Sequence, residues 1–170
     1  MKKHIVIYLI SSLLLVINVH AAKKMTDGAR HIMEEAQKQV PSITPQKFKK
    51  LIDDDEVEFI QLDVRENDQH GHGEIWTMEK VRLTRGYIEY KVEEAIPNKK
   101  SKIIVVCCSG KRAVLAAQTM KRLGFKDISY LEGGVNGWLS KGYPLDTVFG
   151  ELYLKQEVDN LPTKQEKRFD

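Results

Sequence analysis

The chain has 170 residues, of which 42% are hydrophobic and 30% charged, and a formal net charge of +3. That size and mix suit one compact domain and exclude a collagen, a coiled coil and a wholly disordered chain. The two cysteines, Cys107 and Cys108, are adjacent, which excludes a disulfide framework and the usual C-x-x-C zinc sites.

Met1-Lys2-Lys3-His4 is a short basic start. Ile5 to Val19 is apolar apart from Ser11, Ser12 and Asn18, and Val19-His20-Ala21 carries small residues where a signal peptidase reads. The pattern predicts a secretory signal over residues 1–21 and a periplasmic or secreted mature protein of bacterial type. An uncleaved N-terminal membrane anchor is the alternative, but the run is short for a span of about 20 apolar residues. Without residues 1–21 the balance is 25 Lys and Arg against 24 Asp and Glu, a net charge of +1. A nearly neutral chain offers no general ground for nucleic-acid binding, and no stable membrane contact is expected after signal cleavage. An oxidising compartment, combined with two cysteines that staple nothing, points to cysteines kept for chemistry.

Thr26 to Val40 predicts a helix, with Ile32, Met33, Ala36 and Val40 at helical spacing and Thr26 or Asp27 as its cap. Thr44-Pro45 predicts an N-cap followed by proline at the first helical position, with Phe48, Leu51 and Ile52 as the buried stripe. Val57 to Val64 reads as a strand, residues 66–74 as a polar loop, and Val81 to Leu83 as a short strand. Tyr87 to Ala95 is the next helix. Ile103 to Val106 is an unbroken β-branched run leading into Cys107, the pattern of a central parallel strand buried on both faces. Lys111 to Leu123 is an amphipathic helix stopped by Gly124, Ile128 to Leu131 is a strand, and Gly133-Gly134 turns into a short helix ending near Trp138-Leu139. From Leu152 onward the chain is highly charged and reads as a tail or a loosely docked helix. Alternating strands and helices predict an α/β fold with a central, mostly parallel sheet in a three-layer α/β/α arrangement. The organisation is then a signal (1–21), a helical extension (22–41), one domain (42–147) and a charged tail (148–170).

The chemistry concentrates after the buried strand. Cys107-Cys108-Ser109-Gly110-Lys111-Arg112 joins that strand to a helix N-terminus, the end of a parallel sheet where ligands bind. Backbone N–H groups of such a loop curl around an anion, the helix N-terminus adds partial positive charge, and Lys111 and Arg112 add full charges. All three favour a thiolate at Cys107, the nucleophilic form. Gly110 lets the backbone bend tightly. Ser109 either donates to the sulfur or caps the helix. Arg112 is the candidate for orienting an anion, and it can at the same time pin the loop through backbone hydrogen bonds. Lys111 is an exposed attracting charge, and Asp63 and Arg65 read as a structural pair near the sheet end, with support of the site behind the loop, or contact of Arg65 with a bound anion, as the alternative. His70 and His72 lack a third metal ligand, and no metal or cofactor is expected.

These motifs resemble those of the single-domain rhodanese-like sulfurtransferase family in its exported bacterial form. The resemblance rests on Thr44-Pro45, Asp63-Val64-Arg65, the loop from Cys107 to Arg112, and Leu131-Glu132-Gly133-Gly134-Val135-Asn136-Gly137-Trp138, and covers roughly residues 42–145. The sequence departs from the family at His72 to Met78, which replaces a glycine- and proline-containing wall segment, and at Cys108, where the family carries arginine. The resemblance implies a rhodanese fold and transfer of sulfane sulfur from a small anion such as thiosulfate, through a Cys107 persulfide, to a thiol or cyanide. It implies Cys108, Ser109, Gly110, Lys111 and Arg112 around the substrate, and leaves room for a protein acceptor. Two other readings use the same residues: a persulfide carrier or thiol-redox protein working with Cys107 and Cys108, and an anion-binding or sensing module. A phosphatase loop is disfavoured, because only four residues separate Cys107 from Arg112.

Overall fold

The computed structural model describes residues 25–54 and 56–154. The predicted signal and most of the charged tail lie outside the described residues. The chain divides into two units, Met1–Ile32 and Met33–Asp170. The first contributes the start of α1 (Asp27–Gln39), where Arg30 pairs with Asp27. The rest of the description concerns the second unit. Among the described residues no helix is long and apolar enough to cross a membrane.

In chain order the second unit continues with β1 (Ser42–Ile43), α2 (Pro45–Ile52), β2 (Ile60–Asp63), α3 (Asn67–His70) and β3 (Lys80–Arg82). A 3₁₀ turn (Arg85–Tyr87) then leads into α4 (Ile88–Ala95), followed by β4 (Lys102–Val106), α5 (Lys111–Arg122), β5 (Asp127–Leu131) and α6 (Gly134–Ser140). A two-stranded hairpin, β6 (Leu145–Thr147) and β7 (Gly150–Leu152), ends it. The five-stranded sheet has the order β1-β5-β4-β2-β3, and every neighbouring pair is parallel. β4 is central, as its continuous apolar run requires.

Side chains alternate across β4 and thereby define two cores. Ile103, Val105 and Cys107 face one layer, with Ile88 and Val92 of α4 and Ala113, Ala117 and Met120 of α5. Ile104 and Val106 face the other layer, with Phe48 of α2 and Val135 and Trp138 of α6. The α/β/α arrangement follows, and the register of β4 alone places Cys107 under the start of α5. Thr44 caps α2 as its spacing predicts, accepting the Lys47 N–H at 3.3 Å.

The elements differ from expectation in several places. The strand expected from Val57 begins only at Ile60, because β4 pairs from Ile60 onward and β3 reaches no further than Gln61. Residues 57–59 have no strand beside them to satisfy their backbone. The segment 66–74, expected as loop, contains the single turn of α3, held by a reciprocal box between Glu66 and Gln69. β1 and the β6–β7 hairpin were not expected. Leu152, expected to open the tail, closes β7, and all three residues of that strand are exposed. Short exposed strands carry little apolar periodicity to read.

Candidate active site

Cys107 follows the last residue of β4 and is 1% exposed. Its Sγ accepts the backbone N–H of Ala113 at 3.3 Å. Ala113 lies in the first turn of α5, where backbone donors have no partner within the helix and carry partial positive charge. One orphan donor is thus aimed at the sulfur.

The loop is fixed from behind by α6. Val135 N–H donates to the Cys107 carbonyl and Asn136 N–H to the Cys108 carbonyl, both at 2.9 Å. So close an approach needs glycine. Gly134 has φ +57, and a Cβ on it would overlap the Cys107 carbonyl oxygen and lie 2.8 Å from the Gly110 nitrogen. Gly110 has φ +82 and is the N-cap of α5, with no side-chain cap bond. The cap alternative for Ser109 is therefore corrected: Ser109 lies one residue before the N-cap and is exposed.

Arg112 reaches across to the 66–70 segment. Its Nη1 contacts Glu66 Oε1 at 3.3 Å, and its Nη2 donates to Gln69 Oε1 at 2.6 Å and to Cys108 Sγ at 3.3 Å. The Cys108 thiol also donates to Gln69 Oε1 at 3.4 Å. The expectation that Arg112 pins its loop through backbone bonds is corrected, since its partners are these side chains. Lys111 is exposed.

Asp63 and Arg65 form a buried ion pair at 2.7 Å, with side chains 1% and 2% exposed. Arg65 Nε donates to both Asp63 oxygens, at 3.1 and 2.9 Å. Its Nη1 donates to the carbonyls of Gln69 at 3.2 Å and Gly73 at 2.9 Å. Arg65 thus ties the sheet end to the segment that carries Glu66 and Gln69. His70 Nδ1 lies 3.5 Å from Arg65 Nη2 and 3.6 Å from Asp63 Oδ2, so this ring belongs to the buried charge cluster. Among the described residues no group of three or more potential metal ligands converges. The departing wall segment continues through Gly73, whose φ is +96, and an antiparallel bridge between Glu74 and Asp146. Glu74 then pairs with Lys80 and Arg82, each at 2.5 Å.

Burial, partly offset by Asp63, holds His70 below its ordinary value of 6.5. Between 6.5 and that lower folded value, the unfolded chain takes up a proton that the folded one refuses. Stability is complete above this window and declines as pH falls through it. His70→Gln should flatten that decline. The check is urea unfolding of both proteins at about pH 7.5 and about pH 5. A pH dependence unchanged by the substitution would contradict the assignment. Glu74 is a separate carboxylate effect: despite burial, Lys80 and Arg82 hold it below its ordinary 4.5, so its contribution is lost only below that value.

Sequence reasoning missed Glu66, Gln69, the Ala113 amide and the close contact at Gly134. Glu66 is not among the residue types that signal a capping box in sequence, whereas the Ala113 donor follows once α5 is known to start at Lys111. The meeting of Arg112 with Glu66 and Gln69 joins residues 43 to 46 positions apart and has no local signal.

A parallel α/β sheet with a buried cysteine at the carboxyl end of its central strand, cradled by a glycine loop and a helix N-terminus, defines a cysteine-loop α/β domain. Residues 44–141 match the Rhodanese-like domain, and the chain belongs to that family. It is 34% identical over 114 residues to "Putative sulfur carrier protein YrkF" of Bacillus subtilis, covering 67% of this chain and 58% of that one. The chain therefore spans a little over half the length of that relative. Among solved structures, a Rhodopseudomonas palustris protein described as "Protein of Unknown Function RPA3614, Possible Tyrosine Phosphatase" superposes with TM-score 0.61 at 25% identity, covering 72% of this chain and 97% of that one. The polysulfide-sulfur transferase homodimer of Wolinella succinogenes superposes with TM-score 0.59 at 23% identity, covering 76% and 90%. At that identity it shows the shared fold.

Proposed function

We propose that the chain is a sulfurtransferase that holds sulfane sulfur as a persulfide on Cys107. The observation that carries this reading is the Cys107 sulfur, buried at the end of β4 and receiving the Ala113 N–H at 3.3 Å. The Cys107 thiolate attacks the outer sulfur of a donor. A sulfur–sulfur bond to Cys107 forms, the donor's own bond to that sulfur breaks, and its electron pair leaves on the remainder of the donor, sulfite in the case of thiosulfate. A thiol or cyanide then takes the terminal sulfur and returns the Cys107 thiolate. The loop and the α5 N-terminus stabilise the anionic sulfur in both steps, as preorganised donors stabilise an oxyanion. Arg112 and Cys108 of this loop meet beside Gln69, and Lys111 adds an exposed attracting charge. The Bacillus relative's name as a sulfur carrier supports this chemistry and a protein acceptor. The basic, apolar and small-residue pattern of residues 1–21 supports export, with the transfer taking place in the periplasm or outside the cell.

The test is thiocyanate formation from thiosulfate or polysulfide with cyanide. Turnover should fall at least about 10³-fold in Cys107→Ser. Turnover that survives the substitution, or hydrolysis of para-nitrophenyl phosphate in its place, would overturn the reading.

A further inference from the structure

The cation of the cysteine loop, Arg112, is already occupied. Both terminal nitrogens of Arg112 are engaged by the 66–70 segment, and one of those partners, Glu66, is a carboxylate. Glu66 is half exposed. The loop position between Cys107 and Ser109 is the neutral Cys108, which itself lies against Arg112 and Gln69. Lys111 is exposed, and solvent screens its attraction. The side chains of the cysteine loop therefore offer little uncompensated positive charge.

Donors differ in the charge they bring to that loop. Thiosulfate is a dianion, and both of its negative charges leave together on sulfite. A thiol persulfide, RS–SH, reacts with the Cys107 thiolate to give the Cys107 persulfide and RS⁻, and the proton of the transferred sulfur passes to RS⁻, leaving an anionic Cys107 persulfide and the thiol RSH. The bond broken is the RS–S bond, its electron pair leaves on the thiol sulfur, and no external oxidant or reductant is needed. A neutral thiol leaves instead of a dianion.

Building on the sulfur-transfer reading, we infer that Glu66 is a specificity-determining residue. By holding Arg112 it disfavours dianionic donors and selects thiol persulfides as the sulfur source. Gln69 completes the device by keeping the guanidinium on the Glu66 side, with a neutral oxygen that adds no charge of its own. The substitutions Glu66→Gln and Gln69→Glu separate charge from structure. Each retains an acceptor oxygen for the Glu66–Gln69 box, and the two alter the charge beside Arg112 in opposite senses.

The experiment measures kcat/KM for sulfur loading by thiosulfate and by cysteine persulfide on the full protein. The wild type should prefer the persulfide. Glu66→Gln should raise the thiosulfate-to-persulfide ratio about three- to tenfold, and Gln69→Glu should lower it by a similar factor. Raised salt should shrink both effects. If both donors load Cys107 but neither substitution moves the ratio, or both move it the same way, the inference is overturned while sulfur transfer stands. If neither donor loads Cys107, sulfur transfer itself falls.

Discussion

Gly134→Ala should be among the most damaging single substitutions in this protein, although it adds only one methyl group. The left-handed backbone at φ +57 costs a residue with a Cβ about 1–2 kcal/mol. The larger penalty is steric, because the new carbon meets three backbone atoms of the cysteine loop rather than a flexible side chain: the Cys107 oxygen, the Cys108 carbon and the Gly110 nitrogen. To relieve the overlap, α6 must retreat from the loop and give up the Val135 and Asn136 hydrogen bonds. A loss of about 3–5 kcal/mol is expected, with a melting temperature lower by about 10 °C or more. Sulfur loading should fall with it, because the loop then loses its anchor. Gly28→Ala is the control: nothing lies within 4 Å of a Cβ there, and its stability should change by less than about 1 kcal/mol. Thermal melts of the two variants decide the point, and equal melting temperatures would refute the close contact.

Arg65→Met should be comparably severe, for an electrostatic reason. The substitution leaves the Asp63 carboxylate buried beside a sulfur chain and strips the Gln69 and Gly73 carbonyls of their donor. Removing one partner of a buried pair costs about 3–5 kcal/mol, far more than the pair itself contributes over an apolar replacement. Arg65→Lys should recover little, since one ammonium cannot reach Asp63 and two carbonyls in a planar fork. The double variant Asp63→Asn with Arg65→Met should be more stable than Arg65→Met alone, because no charge is then stranded. Urea unfolding of the three variants measures this coupling. A double variant no more stable than the single would show that the buried carboxylate is not what makes the substitution costly. The exposed pair of Arg112 and Glu66 behaves differently: it is worth at most about 1 kcal/mol of stability, and its importance lies in the charge of the site.

The sequence disclosed most where periodicity and backbone chemistry are local. The β-branched run at Ile103 to Val106, the amphipathic stretch from Lys111 and the Thr44-Pro45 cap each report their own conformation, and together they place Cys107 at the carboxyl end of a central parallel strand. The motif from Leu131 to Trp138 was legible as turn and packing. Its deeper role, holding the Cys107 and Cys108 carbonyls, depends on a contact more than twenty residues away in the chain. Asp63 and Arg65 form the buried pair that their place at the sheet end suggested, but what Arg65 holds in place was hidden, because its carbonyl partners lie in a polar segment without apolar rhythm. The same lack of rhythm concealed α3, and with it Glu66 and Gln69. Cys108 was seen as a substituted arginine, and its contacts with Arg112 and Gln69 emerge only once two distant segments are brought together.

The central claim is that Cys107 carries the sulfur. Its most direct test is the intact mass of the purified protein after exposure to a sulfane donor with no acceptor present. The account predicts a gain of one sulfur atom in the wild type and in Cys108→Ser, reversed by cyanide, and no gain in Cys107→Ser. A gain that persists in Cys107→Ser, or one that vanishes only in Cys108→Ser, would contradict it.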